Sequence, residues 1–369
     1  MSETKPYTVL QRYVLFMVLL NAISVPIMLS SVNVALPAIA EDLSLSARSL
    51  SWIPTAFLMA SAMFVLIFGR LADMYGRKKI FLTGAVAVIL ASLLAALANS
   101  AALLITARFL QGFGAAMLYA TQMAIVSSVF PAASRGRVIG LVVSVIYFGL
   151  AGGPLLGGLL VDQLGWRANF LLQIPIAVLV LFVGVYKVKG EWVAEEKGTF
   201  DFSGALNYCL AIFVICLGVS LLPRQYSYLI IAAGLFGFVV FFQQAKSKQY
   251  PIWDVMLFFT NRVFTFSCLA SFIIYSATFM NVVLLSLYLQ YLKGLTATNA
   301  GMIMMIQPLT MAVFSPLMGK MSDHMEPRIL ASAGMAITAI GLVLFASLDS
   351  NSDRKSTRLN SSHTSNPYA

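Results

Sequence analysis

Charged residues are scarce in this chain. They make up 10% of its 369 residues, whereas 60% are hydrophobic and the mean hydropathy is +0.87. A soluble globular domain carries about 25% charged residues, so the composition excludes that class. The three cysteines, Cys209, Cys216 and Cys268, lie in apolar runs and match no metal spacing. We interpret them as small packing residues.

Residues for catalysis are missing as well. The two histidines are His324 and His363, and the sequence contains no Ser–His–Asp set, no H-E-x-x-H and no phosphate-binding G-x-x-x-x-G-K-[ST]. The sequence therefore predicts neither an enzyme nor a bound cofactor or metal. Any transport would draw on an ion gradient, because a nucleotide site is lacking.

Long apolar runs dominate what is present. A helix needs about 20 apolar residues to cross a bilayer, and eleven runs of about that length predict an all-α, polytopic membrane protein. They lie at 13–37, 52–69, 80–98, 102–128, 138–160, 168–186, 204–222, 227–245, 263–290, 300–318 and 329–348.

The basic residues of the loops predict the orientation. With the N-terminus in the cytoplasm, the outer loops hold only Arg48, Arg167, Arg224 and Lys293. The inner loops then hold Lys5, Arg12, Arg70, Arg77, Lys78, Lys79, Arg135, Arg137, Lys187, Lys189, Lys197, Lys246, Lys248, Arg262, Lys320 and Arg328. This bias predicts a cytoplasmic N-terminus in a multi-pass cell membrane protein. Because the cations sit in loops and form no continuous face, they do not indicate a nucleic-acid partner.

The loop between the second and third runs is the most charged of these turns. Residues 69–79 read G-R-L-A-D-M-Y-G-R-K-K. The pattern G-x-L-A-D-x-x-G-R-K resembles the loop 2–3 signature of the major facilitator superfamily of secondary transporters. The resemblance implies a gating role, by pairing with the second half of the protein, for Gly69, Asp73, Gly76, Arg77 and Lys78. The alternative is that these are simply the positive residues that keep a loop in the cytoplasm.

A second copy of this pattern divides the chain. Gly319, Asp323 and Arg328 repeat the spacing after the tenth run, with Glu326 where the first copy has Gly76. Eight runs separate the copies, against six in a twelve-helix facilitator, so two extra helices are predicted in the middle. That arrangement resembles the fourteen-helix drug:proton antiporter branch. We expect a six-helix bundle at 1–190, a linker with two extra helices at 191–250, and the first three helices of a second bundle at 251–348.

The tail at 349–369 departs from this pattern. It is polar and low in complexity, and 353–363 resembles the translation of a sequencing-library adapter. We therefore expect 349–369 to be an artefact, and the three missing helices to belong to a truncated C-terminal part. A natural disordered tail is the alternative.

The first run ends in V-N-V-A-L-P, residues 32–37, which resembles the helix 1 signature of the fourteen-helix branch. The resemblance makes Asn33 a pathway residue. The branch usually carries a membrane-embedded Asp where this chain has Met28. A coupling proton would then use Asp73, Asp162 or the missing helices, or the coupling ion is a different one.

The fourth run carries a polar stripe. Its side chains share one helical face, because they are three or four residues apart, and R-F-L-Q-G at 108–112 resembles the helix 4 motif of the family. We predict that these residues line the transport pathway: Arg108, Gln111, Tyr119 and Gln122. The alternative is that Arg108 reaches the outer membrane surface along its own side chain.

The fifth run carries the strongest indication of transport direction. Its segment at 149–158 matches the antiporter motif G-x-x-x-G-P-x-x-G-G through Gly149, Gly153, Pro154, Gly157 and Gly158. The resemblance implies an efflux antiporter of drug-like or amphiphilic small molecules, driven by protons and working by alternating access, in a bacterial inner membrane. The alternatives are an importer of the same fold and a facilitator-fold protein without transport activity, such as a sensor or assembly partner.

Overall fold

A computed structural model describes residues 7–194, 198–289, 293–294 and 297–346, and these residues form α-helices and no β-strand. The tail at 349–369 lies outside them. The first bundle contains α1 Val9–Asp42, α2 Ala47–Tyr75, α3 Arg77–Ala96, α4 Ala101–Val129, α5 Ala132–Leu164, α6 Ala168–Leu171 and α7 Gln173–Tyr186. The remaining helices are α8 Phe202–Ser220, α9 Gln225–Ser247, α10 Leu257–Thr260, α11 Arg262–Leu287, α12 Ala297–Met304, α13 Ile306–Ser322 and α14 Pro327–Ala346.

The apolar runs predicted from the sequence coincide with these helices. Within the described ranges, nine helical segments are long and apolar enough to cross a membrane. Two shorter apolar helices, Arg262–Thr278 and Arg328–Leu344, fall on the other two predicted runs. The all-helical fold is therefore confirmed, with nine described helices long and apolar enough to cross a membrane, whereas the total of eleven spans stays a prediction.

Two predicted runs are interrupted. Helix α6 ends at Leu171 and α12 ends at Met304, and in each case a new helix begins two residues later. Pro175 and Pro308 stand four residues beyond those ends. A proline has no N–H to donate to the carbonyl four residues before it, and its ring pushes that carbonyl away. Each proline thus explains a break that hydropathy alone did not predict.

The first bundle closes around an apolar core that includes Val14, Met17, Phe57, Phe81 and Phe170, all fully buried. Helix starts are set by side-chain caps. Thr8 and Gln11 form a capping box at α1, and Ser46 and Ser100 accept backbone N–H groups at the starts of α2 and α4.

The two predicted linker helices, α8 and α9, form a hairpin that packs on α2. Tyr208 of α8 donates its hydroxyl to the carbonyl of Ala62 at 2.9 Å, and the Cys209 thiol lies 3.4 Å from the carbonyl of Met63. A small apolar cluster around Tyr208, Phe241 and Ile252 joins α8, α9 and the segment after α9 to α2. The predicted linker helices therefore associate with the first bundle.

Helix α13 brings the second half against the first. It lies along α5, and backbones approach closely where Gly140 of α5 faces Gly319 of α13. A Cβ atom on Gly319 would stand 2.5 Å from the carbonyl oxygen of Gly136. Small residues permit this contact, as in other membrane helix pairs.

Candidate transport pathway and gates

The turn between α2 and α3 is built around one ion pair. Asp73 Oδ1 accepts hydrogen bonds from Arg77 Nε at 3.0 Å and Arg77 Nη2 at 2.8 Å. The other end of the guanidinium donates to Ser128 Oγ at 2.7 Å and to the carbonyl of Ala124. Arg77 therefore ties the turn to the end of α4. Gly76, which joins α2 to α3, has a φ of +119°, a conformation that strains any residue with a Cβ atom.

The same turn is covered by residues 188–194, the short stretch after α7. We call this stretch the linker segment; it is distinct from the longer linker predicted at 191–250. Glu191 accepts the backbone N–H groups of Lys78 at 2.8 Å and Lys79 at 3.1 Å. The backbone of the segment adds two more bonds, from Arg77 N–H to the Trp192 carbonyl and from Ala194 N–H to the Asp73 carbonyl. A carboxylate at a helix N-terminus satisfies N–H groups that lack an intrahelical partner.

This arrangement differs from the pairing with the second half that the resemblance implied. The side-chain bonds of Asp73, Arg77 and Lys78 in the described structure run to one another, to α4 and to the linker segment, where Lys78 Nζ donates to the Val188 carbonyl. Sequence reasoning missed Glu191. Its signal in the sequence was an acid after a short basic stretch, with Glu195 and Glu196 close behind, which any solvated linker also shows.

The second copy of the pattern makes the contact between halves. Asp323 accepts the backbone N–H of Gly136 at 2.8 Å and that of Arg137 at 2.9 Å, both in the second turn of α5. About two turns further along α5, Ser144 donates its hydroxyl to the carbonyl of Ala312 on α13. Arg328 of this copy is exposed.

The polar stripe of α4 is divided between two environments. Arg108 and Gln111 are fully buried within the first bundle. Arg108 Nε donates to the carbonyl of Ile53 at 3.2 Å, its Nη1 donates to Gln111 Oε1 at 2.9 Å, and its guanidinium carbon lies 4.6 Å from the centre of the Phe57 ring. Gln111 in turn donates to Ser92 Oγ at 2.8 Å. The hydrogen-bonded side chains of Arg108, Gln111 and Ser92 are thus enclosed by α2, α3 and α4, away from the bundle surface.

The rest of the stripe lies against α1 or at the surface. Gln122 is buried and accepts a hydrogen bond from the side chain of Asn21. Tyr119 is 40% exposed, and Asn33 of α1 is also exposed. Of the five predicted pathway residues, Tyr119 and Asn33 are therefore accessible, whereas Arg108, Gln111 and Gln122 connect helices inside the bundle.

The glycine motif of α5 packs on α1. Added Cβ atoms would meet the carbonyl of Ile23 at Gly149, the side chain of Ser30 at Gly153, and Ser31 at Gly157. Gly158 has only a distant neighbour at 3.9 Å, and Pro154 is half-buried. Three of the motif's glycines therefore permit a close α1–α5 crossing.

A bundle of apolar helices, two matching charged turns and an internal polar stripe together define a polytopic membrane transporter rather than an enzyme. The sequence profile described as Major Facilitator Superfamily matches residues 18–267 and 267–354. The chain belongs to this superfamily, whose members carry small-molecule substrates.

Several curated relatives are named transporters. The riboflavin transporter RibZ of Clostridioides difficile is 30% identical over 323 residues, which cover 88% of this chain and 70% of RibZ. The multidrug resistance protein Stp of Mycobacterium tuberculosis (strain CDC 1551 / Oshkosh) is 31% identical over 336 residues, covering 89% of this chain and 61% of Stp. The multidrug transporter protein MdtP of Bacillus subtilis is 28% identical over 330 residues, covering 86% of this chain and 59% of MdtP. The chain therefore spans about three fifths of the length of these two multidrug relatives.

Solved structures support the fold. The human organic anion transporter MFSD10 superimposes with a TM-score of 0.55 at 15% identity, covering 86% of this chain and 73% of that one. The proton:xylose symporter XylE does so with a TM-score of 0.55 at 12% identity, covering 84% and 68%. At these identities the likeness concerns the fold alone.

Proposed function

We propose that this protein is a secondary active exporter of drug-like, amphiphilic small molecules, coupled to protons and working by alternating access. The observation that carries the proposal is the position of α5. One side of this helix packs through glycines on α1 of its own bundle, and the other side packs through glycines on α13 of the second half. A helix packed closely on both sides is suited to transmit a rocking movement between two halves.

Export is favoured over uptake by two independent points. The α5 segment matches the antiporter motif, and its glycines make the close contacts with α1 described above. Two relatives are also named for multidrug resistance or multidrug transport. The α8–α9 hairpin, which lies between the two proposed halves along the chain, supports the fourteen-helix branch. In that branch the remaining helices would follow residue 348.

Proton coupling is proposed without a carboxylate in the apolar part of α1, whose two acids, Glu41 and Asp42, lie at its C-terminal end. Met28 occupies the expected position and is buried. Of the alternative carriers, Asp73 is paired with Arg77, and Asp162 is exposed near the end of α5. We also propose a bacterial inner membrane, which the resemblance implies, and a cytoplasmic N-terminus, which the loop cations predict.

Dye transport in proteoliposomes tests the proposal. The gene product is reconstituted with a cationic dye such as ethidium, and a pH gradient is imposed in either direction. We expect the dye to move in the direction opposite to the proton flow. We expect this dye flux to stop when a protonophore dissipates the pH gradient. Equal flux with and without the gradient would contradict coupling, and an absence of flux under any ion gradient would favour a facilitator-fold protein without transport.

A second candidate is transport of a riboflavin-like compound, which the name of the relative RibZ favours. The same vesicles distinguish it, because riboflavin is fluorescent and can replace the dye. Riboflavin flux without dye flux would favour this candidate over drug export.

A further inference from the structure

A cationic cavity lies between the turn after α2 and the end of α9. It has a volume of about 250 Å³, and its lining includes Arg70, Lys246, Lys248, Tyr250 and Asp254. Among the described lining residues, three cations accompany the carboxylate of Asp254, and one of them, Lys248, is also paired with Asp201 outside the lining. Oxygen Oδ1 of Asp254 already accepts the backbone N–H of Met256 at 3.0 Å. The cavity therefore favours an anion.

The cations of this cavity are held in place by neighbouring groups. The guanidinium carbon of Arg70 lies 5.8 Å from the centre of the Tyr250 ring, and Lys246 Nζ lies 4.5 Å from the centre of the Phe259 ring. Lys248 Nζ is 3.5 Å from Asp201 Oδ1, and both lysines are exposed to solvent. A planar guanidinium beside two ammonium groups suits the oxygens of a phosphate.

A second cavity, charged at one end, adjoins the cationic one. It has a volume of about 420 Å³ and shares Arg70, Pro251 and Asp254 with its neighbour. Gly69 and Asp73 of the charged turn line it as well, and its apolar lining is Val65, Leu66, Ala120 and Ile252. Val65 and Leu66 precede Arg70 by four or five residues of α2, which places them about 6 to 8 Å deeper along the helix. The two cavities together offer a polar end and an apolar end.

We propose that these joined cavities bind an anionic phospholipid, with its phosphate headgroup among Arg70, Lys246 and Lys248 and part of an acyl chain beside Val65 and Leu66. Basic pockets between membrane helices commonly hold such headgroups. A bound lipid would connect the end of the α8–α9 hairpin to the turn that contains Asp73 and Arg77. The second cavity includes Gly69 and Asp73 of the charged turn, but lipid binding is measured without transport, so either proposal can fail without the other.

Lipid binding can be measured directly on the delipidated protein in detergent. Phosphatidylglycerol and phosphatidylcholine are titrated separately, and bound lipid is counted by native mass spectrometry. We expect phosphatidylglycerol to bind more tightly, and the Lys246→Gln/Lys248→Gln variant to weaken it about 30-fold, as the loss of two surface cations implies. Folding should persist, because both lysines are exposed.

A matched control carries the same change of charge elsewhere. Lys187→Gln/Lys189→Gln removes two cations from the linker after α7, and should change phosphatidylglycerol binding less than about twofold. Equal losses in the two variants, or equal binding of the two lipids by the wild type, would overturn the proposal.

Inorganic phosphate separates a lipid from a free anion. We expect it not to displace phosphatidylglycerol, because it lacks the acyl chain. We also expect Val65→Phe, which fills the apolar end of the second cavity, to weaken phosphatidylglycerol binding. Displacement by inorganic phosphate together with full binding by Val65→Phe would assign the cavity to a free phosphate and overturn the lipid.

Discussion

The carboxylate of Asp323, just after α13, accepts the backbone N–H of Gly136 near the start of α5 at 2.8 Å. A second bond from the N–H of Arg137 makes the contact bidentate. The acid of the second charged turn is thus bonded to the first half, while Asp73, the acid of the first turn, is paired with Arg77 of its own half. The two copies of one sequence pattern have different roles in this conformation.

Replacing Asp323 by Asn should loosen the contact between the halves. Hydrogen bonds to a charged group contribute about 1.5 to 3 kcal/mol, so the variant should populate the separated arrangement about tenfold more. The measurement is the thiol-labelling rate of Ser315→Cys, a half-buried position on α13 beside Gly140, in a background without the native cysteines. Glu326→Gln removes an exposed acid nearby and is the control. Equal labelling rates in the two variants would contradict the role of Asp323.

Adjacent glycines of α5 should respond differently to an added methyl group. At Gly153 a Cβ atom would overlap the side chain of Ser30, whereas at Gly152 nothing lies within 4 Å. Overpacking costs about 1 to 3 kcal/mol, so Gly153→Ala should lower the apparent Tm by about 2 to 10 °C. Gly152→Ala should leave it unchanged or raise it slightly. Thermal unfolding in detergent checks both, and a larger loss at Gly152 would refute the α1–α5 packing.

Neutralising Glu191 should release the linker segment from the turn between α2 and α3. A Gln at this position keeps one acceptor oxygen but loses the charge that favours a helix N-terminus, at a cost of about 1 kcal/mol. Labelling of Ala194→Cys, a half-buried position whose backbone N–H bonds to the Asp73 carbonyl, should then quicken about fivefold. Glu41→Gln, an exposed acid near the end of α1, is the control. An unchanged rate would show that Glu191 does not hold the segment.

Arg108 and Gln111 should behave as one unit. Arg108→Lys loses the planar geometry that reaches both the Ile53 carbonyl and Gln111, so it should lower the apparent Tm by several degrees. Gln111→Leu should do the same, and the double variant should cost about 0.5 to 3 kcal/mol less than the sum of the single ones. Strict additivity in this double-mutant cycle would mean that their hydrogen bond contributes nothing.

The predicted orientation can be tested at two exposed positions. Lys79→Cys, in the turn after α2, should resist a membrane-impermeant thiol reagent added to intact cells, whereas Arg48→Cys, at the start of α2, should react. Cys209, Cys216 and Cys268 are first replaced so that they give no background. Reaction at Lys79→Cys from outside would invert the topology and remove the basis for the cytoplasmic gate.

The sequence sufficed for the helices because crossing a bilayer demands long apolar runs, which hydropathy reports directly. The motif glycines of α5 were also predictable, since close helix packing demands small residues. The partners of the charged turns were not predictable in this way. Glu191 and Asp323 bond to backbone N–H groups, which every residue except proline carries, so no partner residue marks the contact.

The stripe of α4 shows a second limit. Spacing placed Arg108, Gln111, Tyr119 and Gln122 on one face, but that face is broad enough to touch α2, α3 and α1 as well as the outside of the bundle. Which of these surfaces each side chain meets depends on how far along the helix its neighbours cross it. Periodicity does not contain that information.

The attachment of the α8–α9 hairpin to α2 has a consequence for the shape of the moving parts. In the proposed alternating-access cycle, the hairpin would travel with the first bundle when that bundle tilts, because Tyr208 and Cys209 bond to carbonyls of α2. The first bundle would then displace a wider ring of lipid than six helices would. The membrane should resist its rotation more strongly than that of the proposed second half, so we expect the second half to swing further in each cycle.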